Sequence, residues 1–241
     1  MVNRNFETRY NERLFDKRGL RSYLHNSRFI WFQNAINRFS LPVERIFELG
    51  CFDGRLLSHI VEKPNYYVGY DADWEGGLSN AKRNFSGDNL IFEKSEHVDD
   101  LKKFPDTRFQ ISVAMETMEH LPPDSVGAYL AEIERITGNY FIVTVPNEKG
   151  IVFLLKYIVK SIFLEGNQKY SWSELFDATF GRLHKIDQDD HKGFDYDELI
   201  GQISREFDVV RTEPIPFTAL PRWAGFTVGI IAKKRSPKVQ S

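Results

Sequence analysis

The sequence has very little cysteine, and this scarcity excludes two kinds of site. Cys51 is the single cysteine among 241 residues. The chain by itself therefore forms neither an internal disulfide nor a zinc site made of several thiolates. Because Cys51 lies in a stretch between glycines, we interpret it as a small packing residue rather than as a reactive thiol.

Long apolar runs and a strong charge imbalance are also missing. No run of 18 or more apolar residues occurs, which argues against a membrane-spanning helix. Residues 1–10 are polar and charged, unlike a secretory signal, so we expect a cytoplasmic protein. The formal net charge of -2 and the pI of about 6.3 give no general attraction to nucleic acid, which is therefore not an expected partner.

Short β-prone runs alternate with helical patterns along most of the chain. With 41% hydrophobic residues, the chain has enough apolar surface for the core of one ordinary domain. The first five predicted strands alternate with helices, which indicates a parallel sheet covered on both faces. A helix over 195–206 and two further strands follow. The predicted strands cover residues near 46, then 66–71, 90–93, 109–115, 140–145, 207–211 and 226–232.

The turn after the first predicted strand has the chemistry of a nucleotide site. Glu48 ends the strand, and Gly50 and Gly54 follow, which allow a sharp turn and a close ligand approach. Asp71 ends the next strand, at the βαβ spacing where a carboxylate meets both hydroxyls of a ribose. NAD is an alternative cofactor, but Phe52 stands where a pyrophosphate would need glycine, and no second nucleotide-binding half follows.

Three ordered motifs carry a family resemblance. Glu48-x-Gly50-x-x-x-Gly54, the run 68–71 and Glu116-x-x-Glu119-His120-Leu121-Pro122 together resemble class I S-adenosylmethionine-dependent methyltransferases. The third motif is similar to that of small-molecule enzymes such as the ubiquinone-biosynthesis O-methyltransferases. The resemblance covers residues 43–147 well and 194–232 in outline. It implies a Rossmann-like, doubly wound α/β fold: a seven-stranded, mostly parallel sheet with an antiparallel C-terminal hairpin, in three α/β/α layers.

The resemblance also implies how S-adenosyl-L-methionine is held. One departure is that Phe52 replaces the family's middle glycine, so its side chain must be directed away from the cofactor. A second is that Ser95 stands where an acid usually contacts the adenine, with Glu96 next to it. The implied cofactor-binding residues are Glu48, Gly50, Cys51, Phe52, Gly54, Asp71, Ala72, Ser95, Glu96 and Met115.

The third motif supplies the candidates for catalysis. A hydroxyl acceptor gains from a nearby base, and histidine is the commonest base. His120 is the first candidate, with Glu116 or Glu119 as its partner, and His191 is the second; alternatively, His120 only holds the backbone. We expect no metal. The alternative is a divalent ion held by this motif and His184 or His191, as in the similar small-RNA 3′-end 2′-O-methyltransferases.

The domain organisation follows from where this pattern begins, breaks and ends. We predict an N-terminal helical cap over 1–42, which could instead only pack on the sheet. The methyltransferase domain covers 43–235, with a helical lid insertion at about 150–192, and 236–241 form a disordered tail. The apolar run 151–164 is interpreted as a core or lid helix. The alternatives are peripheral membrane contact with a lipid-linked substrate, and a dimer contact. We interpret Trp172, Phe176, Phe180 and Trp223 as core aromatics; the alternative is a platform on which the acceptor stacks.

These features lead to one functional expectation. We expect an S-adenosylmethionine-dependent methyltransferase that acts on an oxygen of a small-molecule, sugar or lipid-linked acceptor. One alternative is a metal-assisted RNA 2′-O-methyltransferase. Another is a non-catalytic methyltransferase-like subunit, for which the bulky Phe52 is the sequence support. Both a monomer and a homodimer are compatible with the sequence.

Overall fold

The computed structural model describes residues 19–163, 170–186 and 193–236. The predictions for 1–18, for His191 and for the tail from 237 lie outside these ranges. The helices are α1 (Leu20–Phe39), α2 (Arg55–His59), α3 (Leu78–Asn84), α4 (Pro123–Ile136), α5 (Gly150–Phe163), α6 (Trp172–Thr179) and α7 (Tyr196–Glu206). The strands are β1 (Arg45–Leu49), β2 (Tyr66–Asp71), β3 (Leu90–Lys94), β4 (Phe109–Met115), β5 (Thr137–Pro146), β6 (Phe207–Ile215) and β7 (Thr227–Lys234).

The strands form one seven-stranded sheet in the order β3-β2-β1-β4-β5-β7-β6. β1 to β5 are parallel, and β7 pairs antiparallel with both β5 and β6. The predicted fold class is therefore confirmed. The chain proceeds outward from β1 to β3 and then crosses back to β4. In open α/β sheets this change of direction leaves a crevice at the carboxyl ends of the strands, where ligands bind.

Apolar side chains cover both faces of the sheet and bury it between two helical layers. On one face α4 and α7 contribute Leu130 and Leu199 to a large buried cluster. On the other face Phe32 of α1, Leu57 of α2 and Ala81 of α3 form a second cluster. Because both faces are covered by helices, the central strands are apolar on both sides, which explains their nearly continuous hydrophobic runs.

The buried carboxylate of Glu213 holds helix α1 against the sheet. Trp31 packs over Gly229 of β7, where an added Cβ would lie 2.5 Å from its ring. The Trp31 Nε1–H donates to Glu213 Oε2 at 2.8 Å, and Arg38 and Arg211 form ion pairs with the same carboxylate. Burial would raise the pKa of Glu213, but the hydrogen bonds from Arg38 and Trp31 outweigh it and lower that pKa. This part of the N-terminal segment therefore packs on the sheet.

The segment predicted as an insertion, which includes α5 and α6, has a small core of its own and several exposed apolar side chains. Phe153 of α5 packs with Leu175 and Ala178 of α6. The interpretation of four aromatics as core residues was wrong, because they are exposed to solvent, Trp172 by 89%. Across the described ranges, no helix combines the length and the apolar character needed to span a bilayer. These four aromatics are Trp172, Phe176 and Phe180, in and just after α6, and Trp223, which lies shortly before β7.

Candidate functional site

A cleft of about 1110 Å³ opens at the carboxyl ends of β1, β2 and β4. It lies where the strand order changes direction, as expected for this topology. Its walls come from the turn after β1, the segments after β2, β3 and β4, and one side of α1. The volume is ample for a nucleoside-sized ligand together with a second small molecule, since ligand pockets typically measure about 300–1,000 Å³.

Gly50 allows two loops to meet at the floor of this cleft. Its φ is 76°, a left-handed conformation that glycine adopts without strain. An added Cβ would lie 2.0 Å from Thr117 Oγ1, in the segment after β4. The backbone N–H groups of Gly50 and Cys51 both donate to the carbonyl of Tyr70, which ties the turn to β2. The turn is thus held by β2 and closely covered by the β4 segment.

Phe52 lies beside the cleft without filling it. Its ring packs over Gly77, where an added Cβ would lie 2.4 Å from the Phe52 Cδ2 atom. Gly77 is the residue that precedes α3. A residue with a side chain at this position would push the aromatic ring towards the ligand space. Gly77 therefore provides the space that the Phe52 ring requires.

Asp71 joins the turn after β1 to the segment after β2. Its Oδ2 atom accepts the N–H of Phe52 at 2.9 Å, and its Oδ1 atom accepts the N–H of Asp73 at 2.7 Å. Burial raises the pKa of Asp71, and these two backbone bonds oppose that shift. A carboxylate oxygen has two lone-pair sites, so each oxygen can still accept a bond from a ligand hydroxyl.

Glu48 lines the same cleft from beneath the turn, and its residue is only 2% exposed. The hydroxyl of Tyr67 donates to its Oε2 atom. Gly69 makes room for this contact, because an added Cβ would lie 2.7 Å from Cys51 Sγ and 3.0 Å from the Tyr67 ring. Burial raises the pKa of Glu48 to about 8.

Glu116 follows β4 in a strained backbone conformation. Its φ is 54°, and its N–H donates to the Thr144 carbonyl at 2.8 Å. Non-glycine residues in this region cost free energy and are concentrated at functional sites. The Glu116 Oε1 atom is shielded from solvent and has no hydrogen-bond partner among the described residues. Because Glu116 also lines the cleft, this oxygen is suited to accept a hydrogen bond from a ligand.

The two neighbours of Glu116 in the predicted catalytic motif differ in exposure. Glu119 is buried and does not line the cleft. Burial, with the nearby charge of Glu116, raises the pKa of Glu119 well above its usual range. His120 is exposed and lines the cleft, and its backbone N–H donates to the Thr117 carbonyl. The structure thus places Glu116 and His120 at the cleft and Glu119 behind it.

Most of the predicted cofactor residues line this one cleft. Gly54 does not; it supports the turn from behind at φ 73°, against Phe85 and Phe92. Ser95 lines the cleft, and its hydroxyl donates to Asp100 Oδ2 at 2.8 Å. The predicted cofactor residues that line it are Glu48, Gly50, Cys51, Phe52, Asp71, Ala72, Ser95, Glu96 and Met115.

Sequence reasoning missed several residues that line the cleft. His25, Arg28 and Phe29 reach it from α1, although the segment that contains them was predicted as a cap. Trp74, three residues after Asp71, also lines it and is 74% exposed. In the sequence, only their positions along the chain could have indicated that they line the cleft. Neither a helical pattern nor a tryptophan in a loop shows which surface a side chain faces.

The alternative hypothesis of a divalent metal site depends in part on a histidine outside the described residues. In the described parts of the chain, no group of three histidine, cysteine, aspartate or glutamate side chains is arranged to hold a metal ion. His191, one of the histidines proposed to complete such a set, lies outside those parts.

A known protein family matches most of the region that forms the cleft. Residues 47–140 match the family model described as "Methyltransferase domain". The chain is also similar to the ubiquinone biosynthesis O-methyltransferase of Hahella chejuensis (strain KCTC 2396). The two are 25% identical over 183 residues, which cover 71% of this chain and 75% of that protein.

Solved structures share the fold across nearly the whole chain. Magnesium protoporphyrin IX methyltransferase from Synechocystis PCC 6803, solved with bound SAH, has a TM-score of 0.63 at 12% identity and covers 97% of this chain and 96% of its own. A S-adenosylmethionine-dependent methyltransferase from Clostridium acetobutylicum ATCC 824 has a TM-score of 0.62 at 11% identity, with 95% and 97% covered. The methyltransferase domain of bacterial CtHen1 has a TM-score of 0.54 at 17% identity, with 87% and 99% covered.

Proposed function

We propose that this chain, which carries a class I S-adenosylmethionine-dependent methyltransferase domain, methylates an oxygen of a small-molecule, sugar or lipid-linked acceptor. The observation that carries the proposal is the open cleft at the β1–β4 switch point, which Glu48 and Asp71 both line. Phe52 packs against Gly77, and this position is compatible with a bound cofactor. The O-methyltransferase relative favours oxygen as the accepting atom.

The residues of the cleft fit S-adenosylmethionine by their chemistry. Asp71 would accept the ribose hydroxyls, since its two oxygens each keep a free lone-pair site. Gly50 would keep the turn and the segment after β4 in close contact beside the ligand, and the buried Glu48 would face the positively charged methionine end. When bound, the cofactor supplies an electrophilic methyl group on a sulfonium, and the protein contributes mainly alignment of the acceptor.

Glu116 is the best-placed group to take the proton of an acceptor hydroxyl. Its buried Oε1 atom has no partner among the described residues and belongs to a residue that lines the cleft. As the acceptor oxygen forms its bond to the methyl carbon, the hydroxyl proton would pass to this carboxylate. Burial and the charge of Glu116 raise the pKa of Glu119, and its side chain does not line the cleft, so Glu119 is not placed to act as the base. His120, at the exposed rim, is the second candidate.

Glu116→Gln should lower kcat roughly 10²- to 10⁴-fold, the usual contribution of a general base, while the Kd for the cofactor changes little. Glu119→Gln is the matched control, because it changes a buried carboxyl that does not line the cleft, and we expect a small effect on kcat. Single-turnover rates and cofactor binding should be measured on both variants. A normal rate for Glu116→Gln with a large loss for His120→Gln would transfer the role of the base to His120.

The outer face of α5 supports contact with the apolar part of a lipid-linked acceptor. Ile151, Leu155 and Ile158 recur at helical spacing and are all exposed. Helices with such a face lie at the membrane interface when they have enough apolar area. We propose that this face holds the insertion close to the lipid portion of the acceptor.

Transfer of labelled methyl groups tests the function and separates its alternatives. We expect SAH to raise the melting temperature of the purified protein, and label to enter hydroxyl acceptors, more efficiently those carried on lipid vesicles. Failure to bind SAH would favour the non-catalytic subunit. Label entering RNA 3′ ends only when Mn²⁺ is added would favour the RNA enzyme.

A further inference from the structure

Helix α5 is connected to the main domain by polar contacts rather than through a shared apolar core. The apolar cluster of the predicted insertion has its described members between positions 153 and 186, and it is separate from the two clusters that cover the sheet. The position of α5 on the domain therefore depends on contacts outside this cluster. The side chain of Lys156, on α5, makes several of them.

The ammonium group of Lys156 makes three contacts with residues of the main domain. It donates to the Asn147 carbonyl at 2.7 Å and to Glu148 Oε1 at 3.1 Å. It also lies over the Phe226 ring, 4.6 Å from the ring centroid. The Lys156 side chain is 20% exposed, so these contacts are partly shielded from water. Hydrogen bonds that involve a charged group are among the strong ones, and the aromatic face adds to them.

The residues that Lys156 contacts are themselves fixed. Asn147 is buried, and its Nδ2 atom donates to the carbonyls of Trp223 and Gly225 at 3.0 and 2.9 Å. The backbone N–H of Asn147 donates to the Phe226 carbonyl at 3.2 Å. These bonds join the end of β5 to the segment that leads into β7. Lys156 therefore attaches α5 to a rigid part of the domain.

The start of α5 does not fix the direction of the helix by itself. Lys149, just before the helix, is ion-paired with Asp195 and Asp197, so the chain is anchored up to this point. Gly150, the first residue of α5, has a left-handed φ of 77°, and an added Cβ would meet no atom within 4 Å. A glycine of this kind lets the backbone rotate at low cost. Lys156 is the anchor on the helix itself, nearly two turns further on.

Two of the groups that contact this ammonium also adjoin walls of the cleft. The Phe226 ring meets the His25 ring edge to face, with the centroids 5.8 Å apart, and His25 lines the cleft from α1. Glu148 lies close enough to Glu119 for its charge to contribute to the raised pKa of that carboxyl. Glu119 belongs to the segment that carries Glu116, the proposed base. The ammonium group thus connects α5 to both α1 and the segment after β4.

We propose that Lys156 is a positioning residue for the acceptor, because it sets the placement of α5 relative to Glu116; this inference rests on the proposed function. The Lys156 side chain does not line the cleft, so it acts through α5 and through its contacts with Glu148 and Phe226. Leu155, the preceding residue, belongs to the exposed apolar face of α5, so loss of the Lys156 contacts displaces that face. The acceptor then binds more weakly, whereas the cofactor residues after β1 and β2 are unaffected.

Lys156→Met tests this role, because methionine keeps an unbranched side chain of similar length but removes the N–H donors. With the hydroxyl acceptor that labelled methyl transfer identifies, we expect KM for the acceptor to rise roughly tenfold or more. The kcat and the Kd for SAH should each stay within about threefold of wild type. Lys156→Arg, which keeps a cationic donor, should recover most of the loss. Lys185→Met, the matched control, removes an exposed lysine of the same insertion and should change none of these quantities.

Amide hydrogen exchange gives a measurement that needs no acceptor. In Lys156→Met, the amides of residues 151–158 should exchange faster, while those of β1 and β4 keep their wild-type rates. Unchanged exchange in α5, or a loss of kcat with an unchanged acceptor KM, would overturn the proposal and leave the proposed function intact. Failure of the wild-type protein to bind SAH would instead overturn the proposed function. Should Lys156→Met not fold, Glu148→Gln weakens the same contact from the other side and should raise the acceptor KM and the exchange rate of α5 to a smaller extent.

Discussion

Gly50→Ala should weaken cofactor binding by more than an order of magnitude. A Cβ at this position would lie 2.0 Å from Thr117 Oγ1 and 2.8 Å from Thr117 Cβ, so the segment after β4 must move. The left-handed φ of 76° adds roughly 1–2 kcal/mol of strain for an L-residue. Steric displacement of a packed group costs about 1–3 kcal/mol more. Binding requires the turn and the segment after β4 to regain their wild-type positions, so these costs, roughly 2–5 kcal/mol together, correspond to an increase in Kd of roughly 30- to 4,000-fold, to be measured by calorimetry with SAH.

Gly201→Ala is the matched control for this substitution. Gly201 lies inside α7, and an added Cβ there meets no atom within 4 Å. We expect this variant to be more stable by about 1 kcal/mol and to bind SAH normally. Adding Thr117→Gly to Gly50→Ala removes the clash but not the strain, so partial recovery of binding would separate the two causes. Binding by Gly50→Ala within threefold of wild type would refute a ligand site at this turn.

The second large effect is expected for Asp71→Ala. Its carboxylate holds the N–H groups of Phe52 and Asp73, and in the proposed function it also accepts the ribose hydroxyls. Hydrogen bonds to a charged group contribute about 1.5–3 kcal/mol each, so loss of the ribose contacts alone should raise Kd roughly 10²- to 10⁴-fold. Asp71→Asn, which retains one acceptor oxygen, should lie between wild type and alanine.

Stability measured alongside affinity separates the two roles of Asp71. Loss of the backbone contacts should lower the melting temperature, because two N–H groups of the loops lose their acceptor. Asp88→Asn, which removes an exposed carboxylate, controls for the change in net charge and should alter neither quantity. If Asp71→Ala lowers only the melting temperature and the folded fraction binds SAH normally, Asp71 supports the loops and does not contact the ribose.

The sequence was sufficient for the parts of the fold that depend on local patterns. The strand pattern predicted β4 with its observed bounds, and the acids and glycines at strand ends predicted a ligand site at the carboxyl edge of the sheet, where the cleft lies. Such features are readable because strand periodicity, turn geometry and the parallel βαβ connection each depend on residues close together in the chain. The motifs that resemble those of methyltransferases added the order of these features and, with it, the fold class.

Only the tertiary structure decided which side chains meet across distant segments. Trp31 and Glu213 are 182 positions apart, yet their contact fixes the helix that carries Arg28 to the cleft. Packing between elements also creates the space above Gly77 in which the Phe52 ring lies. The same kind of packing buries Glu119 and leaves the adjacent His120 exposed. The sequence shows whether a side chain is acidic, aromatic or small, and how far apart such side chains are along the chain. Which neighbours bury or expose it is set when the helices close on the sheet, since burial depends on atoms supplied by the rest of the chain.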